Sequence, residues 1–299
     1  MVPGNEWSLA TPLRQYHALA DGIWGTLITV TDVHEQIASA LWYHTIEIAP
    51  GLVTPGWFDL RPVLRKMPWP DVRGKRCLDI GTYDGFLAYE MEKRGASEVI
   101  AIDIEDHTQW DWPVDVRATG GENLAKLAGP EKSRGFRIAS KALDSKVQLQ
   151  QVNVYDLSPE RVGTFEVVVC GTLMLHLRDP LRALEAVRSI CAGKFLSAEE
   201  IDLSLTVQHP KKPLFKLNGI GELCQWFTPN MAGHRRMIAA AGFEIEHATR
   251  PYVIPFGVSH PPRARTPRSL FHKALQQAVC GSAGVPHSAV LAHPRGGPI

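Results

Sequence analysis

A short stretch, residues 76–91, brings glycines and carboxylates together at one turn. It reads RCLDIGTYDGFLAYEM, in which a short apolar run is interrupted by glycines and aspartates and is followed by a helix-like pattern. The residues of interest at the interruption are Asp79, Gly81, Tyr83, Asp84 and Gly85. A dinucleotide fingerprint would need the spacing G-x-G-x-x-G, and carboxylates this close to a pyrophosphate would repel it. The turn therefore favours a cationic ligand. The alternative is a tight strand-to-helix turn with solvated acids.

Two later segments place polar side chains at the ends of further predicted strands. Asp103 ends VIAIDIE and is followed by Ile104, at a position where a carboxylate can accept both hydroxyls of a ribose. In VNVYDL, Asn153 can meet an adenine amino group and Val154 can cover the ring. A ligand that combines adenine, ribose and positive charge is S-adenosylmethionine (SAM), which carries an ammonium and a sulfonium. The strand ends therefore predict SAM as the cofactor.

The elements that must position these residues alternate between strand and helix patterns from residue 71 onward. A strand pattern in RCLDIG precedes a helix pattern in GFLAYEMEKRG, and an apolar run in FEVVVCGTLML precedes a helix in DPLRALEAVRSICAG. This alternation predicts an α/β fold with a Rossmann-like doubly wound sheet, mostly parallel with an antiparallel last strand in HSAVLAHP. We expect helix in two pieces over residues 120–145 and a single strand in FEIEHATRPYVIPF.

Two domains are expected along the chain. Residues 71–299 should form the sheet domain, and residues 1–70 should form an N-terminal helical and aromatic extension that acts as a lid or a wall of the substrate pocket.

The chain resembles the class I SAM-dependent methyltransferases, because LDIGTYDG, IAIDIE and VNVYDL occur in that family's order. The resemblance covers roughly residues 70–295 and implies the family's fold, cofactor and activity. The expected cofactor-binding residues are Asp79, Gly81, Tyr83, Gly85, Asp103, Ile104, Asn153, Val154, Cys170 and Gly171.

Within that superfamily, GTLMLHLRDPLRALEAVRSI and WFTPNMAGHRRMIAAAGFEIEHA look like the branch that includes the tRNA wobble-uridine carboxymethyltransferases. The branch implies carboxy-SAM, held by an upstream lysine and by a tyrosine just before a histidine. Here Leu175 precedes His176, and residues 42–58 contain no lysine. These departures predict that ordinary SAM donates a methyl group, and they make a tRNA substrate less expected.

Candidate catalytic residues follow the fourth and fifth predicted strands. Methyl transfer to a hydroxyl or to a protonated nitrogen requires a base, and His176, with an unperturbed pKa near 6.5, suits that role. The alternative is that His176 only bonds a loop. Glu199 and Glu200 are the second candidates to orient an acceptor, and the alternative is one solvated and one structural acid. We predict no metal site.

Aromatic segments on either side of these strands are candidates for the acceptor pocket. They are ASALWYHTIEIAPGLVTPGWFD, before the first core strand, and CQWFTPN, and the predicted substrate-binding residues are His44, Trp57, Trp226 and Asn230. The alternative is that the rings only pack the N-terminal part of the chain onto the sheet.

Composition limits the classes of function. The chain has 299 residues and a formal net charge of +1, so it carries no overall basic surface for nucleic acid. The one basic cluster is HPPRARTPRS, residues 260–269. It is predicted to be either a solvated loop or a phosphate contact through Arg263, Arg265 and Arg268.

The five cysteines form no C-x-x-C pair, which indicates reduced thiols. No stretch has the length of a signal peptide's apolar core or of a membrane span, so we expect a cytoplasmic protein.

The predicted function is methyl transfer from SAM to an oxygen or nitrogen of a small-molecule acceptor. The alternatives are a tRNA-modifying methyl- or carboxymethyltransferase and a SAM-binding protein without catalysis. A homo-oligomer is possible from the sequence.

Overall fold

The computed structural model describes residues 30–118, 131–220, 224–262 and 266–296. Contacts divide the chain into two units, Met1–Ser39 and Ala40–Ile299. In the first unit, helix α1 spans Val30–Ala38. Residues 40–70 therefore group with the sheet rather than with the residues before them. The lid or wall role of residues 1–70 stays a prediction, and residues 1–29 lie outside the described residues.

The second unit contains the remaining described elements. Its strands are β1 (Glu47–Ala49), β2 (Leu52–Val53), β3 (Arg76–Ile80), β4 (Glu98–Asp103), β5 (Gln148–Gln151), β6 (Phe165–Gly171), β7 (Cys191–Glu200), β8 (Phe215–Leu217), β9 (Phe227–Pro229), β10 (Phe243–Ala248), β11 (Tyr252–Ile254) and β12 (Val285–Pro294). Its helices are α2 (Phe86–Lys93), α3 (Val114–Ala118), α4 (Arg134–Ala142), α5 (Pro159–Val162), α6 (Pro180–Ile190), α7 (Leu203–Gln208), α8 (Met231–Ala240) and α9 (Pro267–Cys280). Short 3-10 turns span Arg61–Lys66, His107–Gln109, Val154–Asp156 and Met174–His176.

The central sheet has the order β10-β12-β7-β6-β3-β4-β5, and β11 also pairs with β12. Strands β3 to β7 are parallel, whereas β12 runs antiparallel to β7, β10 and β11. The predicted mostly parallel, Rossmann-like sheet with an antiparallel last strand is confirmed. The chain builds outward from β3 through β4 and β5, and then returns to the other side of β3 as β6. This reversal creates a switch point between β3 and β6, where ligands of such sheets bind.

The central strands are apolar because both of their faces are covered. Val167, Val168 and Val169 in β6 are all fully buried, although successive strand residues point to opposite faces. Leu78 and Ile80 of β3 pack in the same core cluster as β6. The sheet is therefore a rigid support for the side chains and loops at its carboxyl edge.

The predicted strand FEIEHATRPYVIPF is divided into β10 and β11, so the single-strand prediction is wrong. Pro251 lies between the two strands, and a proline cannot donate to a ladder. Both pieces pair with β12. The two hairpins β1–β2 and β8–β9 were not predicted.

The basic stretch 260–269 is not only a loop, because α9 begins inside it. The Thr266 side chain accepts the Ser269 backbone N–H at 3.1 Å, and the Ser269 hydroxyl oxygen accepts the Thr266 N–H at 2.8 Å. Pro267 occupies the first turn, where its missing N–H costs nothing. Arg263 and Arg265 lie outside the described residues. So do residues 120–130 of the segment 120–145, where helix in two pieces was predicted, and α4 covers Arg134–Ala142 of that segment.

Within the described ranges, no helix combines the length and the apolar character that a membrane crossing requires.

Candidate functional site

A cavity of about 230 Å³ opens at the carboxyl edge of the sheet, around the switch point. It draws its walls from the ends of several strands and from the segment before the 3-10 turn Arg61–Lys66. Seven of the ten predicted cofactor-binding residues line it: Gly81, Tyr83, Asp103, Ile104, Asn153, Val154 and Gly171.

The turn after β3 has backbone geometry that suits close approach of a ligand. Gly81 has a φ of +71°, and a Cβ at this position would lie 3.2 Å from the Leu173 side chain. Tyr83 also has a positive φ, +52°, which is uncommon for a residue with a side chain. Its N–H donates to Asp103 Oδ2 at 2.8 Å, which fixes the turn to the end of β4.

Asp103 lies in the cavity but is already engaged by the protein. Its Oδ1 accepts the Ile104 N–H at 2.7 Å and pairs with the Lys132 ammonium. That ammonium also lies over the Trp110 ring, 4.4 Å from the centroid. Any ribose at Asp103 must therefore share the carboxylate with Lys132 or displace it. Lys132 was not predicted, because its segment is far in sequence from the strand ends, although its ammonium lies against Asp103 in the folded chain.

Asn153 and Val154 lie where the sequence predicts them, after β5. Asn153 Oδ1 accepts the Tyr155 N–H at 3.0 Å and so caps the 3-10 turn Val154–Asp156. The amide NH₂ is therefore the end of Asn153 better suited to a ligand. It matches a ring nitrogen of adenine rather than the adenine amino group, which is itself a donor.

Asp79, Gly85 and Cys170 are predicted cofactor residues that, among the residues described, do not line the large cavity. Asp79 is 1% exposed and accepts the Thr82 hydroxyl at 2.7 Å, and burial raises its pKa to about 6. It borders a smaller cavity of about 20 Å³. Gly85 has a φ of +93° at the start of α2, with no room for a Cβ against the Tyr89 ring. Cys170 is fully buried, with its Sγ facing Glu199. These three positions support the turn and the core, and their contact with a cofactor stays a prediction.

Asp84, read from sequence as an acid that attracts a cationic ligand, is instead a structural anchor. It is fully buried. Asp84 Oδ2 accepts the N–H groups of Tyr43 at 2.9 Å and His44 at 2.7 Å, and Oδ1 bonds His44 Nδ1 at 2.5 Å. We call residues 42–58 the strap. Asp84 ties the strap to the turn after β3.

The strap contributes two of the four predicted substrate residues to the cavity, His44 and Trp57. The side chains of the other two predicted residues are engaged by the fold, and their contact with a substrate stays a prediction. Trp226 Nε1 donates to the Asp111 carbonyl at 2.6 Å, and the ring does not line the cavity in the described structure. Asn230 is fully buried as the N-cap of α8. Its Oδ1 accepts the Gly233 and Leu214 N–H groups, and its Nδ2 donates to backbone carbonyls, so its hydrogen-bonding capacity is used by the fold.

His176 ends the 3-10 turn after β6 and lines the cavity. Its Nδ1 bonds the Cys224 carbonyl. A carbonyl only accepts, so Nδ1 carries a proton and Nε2 of the neutral ring carries a lone pair. Burial lowers the pKa of His176 below its usual value, which keeps the ring neutral near pH 7. The geometry is compatible with a base at Nε2.

Glu199 and Glu200 are both described, and neither lines the cavity. Glu199 is 1% exposed, and its Oε2 accepts the Met174 N–H at 3.2 Å. Burial raises the pKa of Glu199 to about 8. Glu199 therefore supports the loop that carries His176, and a direct role on an acceptor is not what its position favours.

Several cavity residues were missed because they lie in loops, in short turns or just past the end of a strand, where no sequence pattern marked their role. They include Trp110, Trp112, Lys132, Tyr155, Thr172 and Leu177. The rings of Trp110 and Trp112 stack with centroids 5.3 Å apart, and the Tyr155 hydroxyl donates to Asp111 at 2.6 Å. The paired tryptophans in WDW were the one available signal. In the part of the chain that the structure describes, no group of three or more His, Cys, Asp or Glu side chains could hold a metal ion.

Known proteins resemble the chain over its sheet domain. Residues 57–248 match the model of a family described as a methyltransferase domain. The ubiquinone biosynthesis O-methyltransferase of Marinobacter nauticus is 29% identical over 191 residues, which is 62% of this chain and 65% of the relative. The protein of the same name from Vibrio campbellii is 26% identical over 208 residues, 69% of this chain and 74% of the relative. A solved SAM-dependent methyltransferase from Mesorhizobium loti is 16% identical, covers 78% of this chain and 96% of its own, and has a TM-score of 0.43.

The match to the first of these relatives spans less than two thirds of the relative's length, at 65%. The family model, in contrast, covers more than half of this chain. The predictions of a methyltransferase and of SAM as its cofactor are confirmed at the level of the family, while the wobble-uridine branch stays a prediction. The chain belongs to the methyltransferase-domain family.

Proposed function

We propose that this protein transfers a methyl group from SAM to an oxygen atom of a small-molecule acceptor. The observation that carries the proposal is that His176, with a lone pair on Nε2, lines the same cavity as the predicted cofactor residues. A base and a cofactor site in one cavity are what transfer to a hydroxyl requires.

The residues present fit SAM. Gly81 leaves backbone accessible beside the cavity, Asp103 offers a carboxylate, and Asn153 offers an amide. Aromatic rings such as Trp57 and Trp110 favour a positively charged sulfur. When bound, SAM supplies an electrophilic methyl group on a cationic sulfur.

The chain's own task is to orient an acceptor and remove its proton. His176 Nε2 accepts the proton of the acceptor hydroxyl, and the Cys224 carbonyl stabilises the resulting imidazolium through Nδ1. The rings of Tyr43, Trp57 and Trp110 form walls that suit a flat apolar acceptor and exclude water. The curated relatives are named O-methyltransferases, which supports oxygen as the accepting atom.

The proposal is tested by incubating the protein with SAM that carries a deuterated methyl group and with phenol, catechol, benzyl alcohol or aniline. Mass spectrometry should detect S-adenosylhomocysteine together with a labelled methyl ether. Labelled N-methylaniline alone would move the reaction to nitrogen. Binding of SAM without transfer to any of the four would support the alternative of a binding protein without catalysis, and would contradict the proposal.

Asp103 gives a prediction about cofactor affinity. Asp103→Ala should weaken SAM binding by about 1–3 kcal/mol, because hydroxyls bound there would lose their acceptor. Isothermal calorimetry measures this loss. The matched variant is Lys132→Met, which breaks the same ion pair but keeps the carboxylate, and it should retain SAM affinity. Unchanged affinity in Asp103→Ala would remove Asp103 from the cofactor site.

The donor is proposed to be ordinary SAM rather than carboxy-SAM. Leu175, where the carboxymethyltransferase branch has its tyrosine, is buried and does not line the cavity among the described residues. Lys132 does line the cavity, but its ammonium is paired with Asp103. We expect carboxy-SAM to bind no more tightly than SAM in a competition experiment. A clear preference for carboxy-SAM would reverse this choice and would favour the alternative of a tRNA substrate.

A cytoplasmic location and a homo-oligomer remain predictions.

A further inference from the structure

Thr172 follows β6 at the switch point and has an unusual backbone. Its φ is +54°, in the left-handed region, and a β-branched residue rarely adopts that conformation. Thr172 lines both the large cavity and the small one. Strained residues of this kind persist where the surrounding structure holds them, and they concentrate at functional sites. The question is what its hydroxyl does there.

The Thr172 hydroxyl is oriented by a buried histidine. Thr172 Oγ1 lies 3.0 Å from His287 Nε2, and His287 Nδ1 lies 2.9 Å from the Val285 carbonyl oxygen. Because the carbonyl only accepts, the proton of the neutral ring is on Nδ1, and Nε2 must accept from Thr172. His287 is 2% exposed, and burial lowers its pKa to about 4, so the ring stays neutral at physiological pH. The direction of both hydrogen bonds is therefore fixed.

A hydroxyl whose only proton is committed can offer nothing but lone pairs to another group. We propose that Thr172 is a specificity residue whose Oγ1 accepts a hydrogen bond from a second hydroxyl of the methyl acceptor, beside the hydroxyl whose proton His176 removes. The inference rests on the proposed function, since it concerns the acceptor of that same reaction. An acceptor that presents a carbonyl or ether oxygen at this point would meet lone pairs and be disfavoured.

The position of Thr172 favours the acceptor over the cofactor as the source of the donor. The predicted ribose and adenine contacts lie at the ends of β4 and β5, on the other side of β3 from Thr172. Beside Thr172, the small cavity is bordered by Tyr252, which also stacks on His287 with centroids 6.1 Å apart. Tyr252 is 3% exposed, and the described residues provide its hydroxyl with no hydrogen-bond partner. A polar group bound here would therefore meet a second group able to pair with it.

The test uses full-length protein and catechol, because one hydroxyl of catechol is methylated and the second can still donate to Thr172. Thr172→Val keeps the branched shape and removes the hydroxyl, and it should raise the KM for that compound about 5–150-fold, the effect of one lost hydrogen bond in a buried site. Thr172→Ser keeps the hydroxyl and should restore a KM near that of the wild type. The dissociation constant of SAM should be unchanged in both variants.

Substitution of His287 tests the orientation itself. His287→Gln can still place an acceptor oxygen near Thr172 and should retain the wild-type preference for a hydroxyl over an ether at this point. His287→Leu frees the Thr172 proton to donate, and it should lower the inhibition constant of the monomethyl ether of catechol, which competes with catechol. Thermal melting establishes that each variant is folded before it is assayed, and Thr172→Val carries the test if His287→Leu does not fold.

Three results would overturn the inference. An acceptor KM unchanged in Thr172→Val would remove the contact. A loss of SAM affinity without a change in the acceptor KM would assign Thr172 to the cofactor. Wild-type protein that methylates neither catechol nor phenol nor benzyl alcohol would contradict the proposed function itself, and that outcome is distinct because it appears without any substitution.

Discussion

His176→Ala should reduce turnover by about 10²–10⁴-fold while leaving the dissociation constant of SAM unchanged. In the proposed mechanism the Nε2 lone pair is the base, so its loss should affect proton removal from the acceptor rather than cofactor binding. The wild-type rate should fall as the pH is lowered through the pKa of His176, because the imidazolium cannot accept a proton. Burial lowers that pKa, so the fall should lie below the pH range of an ordinary histidine. Steady-state rates from about pH 4 to pH 8 measure the profile.

A second variant separates chemistry from loop positioning. His176→Asn can still donate to the Cys224 carbonyl but offers no basic nitrogen, so it should be as slow as His176→Ala. Recovery of turnover in His176→Asn would mean that the bond to Cys224, rather than the base, is what matters. The control is His247→Ala, since His247 is exposed on β10 and its loss should change neither rate nor profile.

Asp84→Ala should lower the free energy of unfolding by several kcal/mol and weaken SAM binding at the same time. Three donors of the strap, the N–H groups of Tyr43 and His44 and the Nδ1 of His44, lose their acceptor. Each buried donor left unpaired costs about 1–3 kcal/mol. Because His44 and Trp57 line the cavity, release of the strap should also remove one of its walls. Denaturant unfolding and calorimetry measure the two effects.

The conservative variant Asp84→Asn should fall between the wild type and Asp84→Ala. Its amide oxygen can still accept the two backbone N–H groups, and its NH₂ can donate to His44 if the ring changes tautomer. Asp71→Ala is the control, since Asp71 pairs with Arg73 on the surface and its loss should leave both measurements unchanged. If Asp84→Ala were as stable as the wild type, the strap would not depend on this carboxylate.

The cofactor residues at the strand ends could be predicted because each of them directly follows an apolar run that marks a strand in the sequence. Gly81 and Asp103 each follow an apolar run, and parallel strands bring their carboxyl ends to one edge. Seven of the predicted cofactor positions meet in one cavity for this reason. Cys170, which does not line the cavity, stands next to Gly171, which does, and alternation along β6 turns the Cys170 side chain into the core.

The acceptor side could not be predicted in the same way, because it depends on loops and on hydrogen-bond direction. Asn230 stands beside aromatic residues, which suggested a pocket, yet it starts a helix and its side chain serves the cap. Thr172 carries no motif, and its positive φ and its bond to a residue 115 positions away exist only in the folded chain. Lys132 reaches Asp103 across 29 positions for the same reason.

Strand β12 is the last strand in chain order, yet it lies inside the sheet between β7 and β10. During synthesis, the edge of β7 therefore stays unpaired until residues 285–294 have emerged from the ribosome. An apolar strand edge that is unpaired during synthesis is a site for pairing with another nascent chain. Among the strands that the structure describes, β10 and β11 join the sheet through β12 alone, so insertion of this one strand closes the sheet late in folding. That same event brings His287 to Thr172.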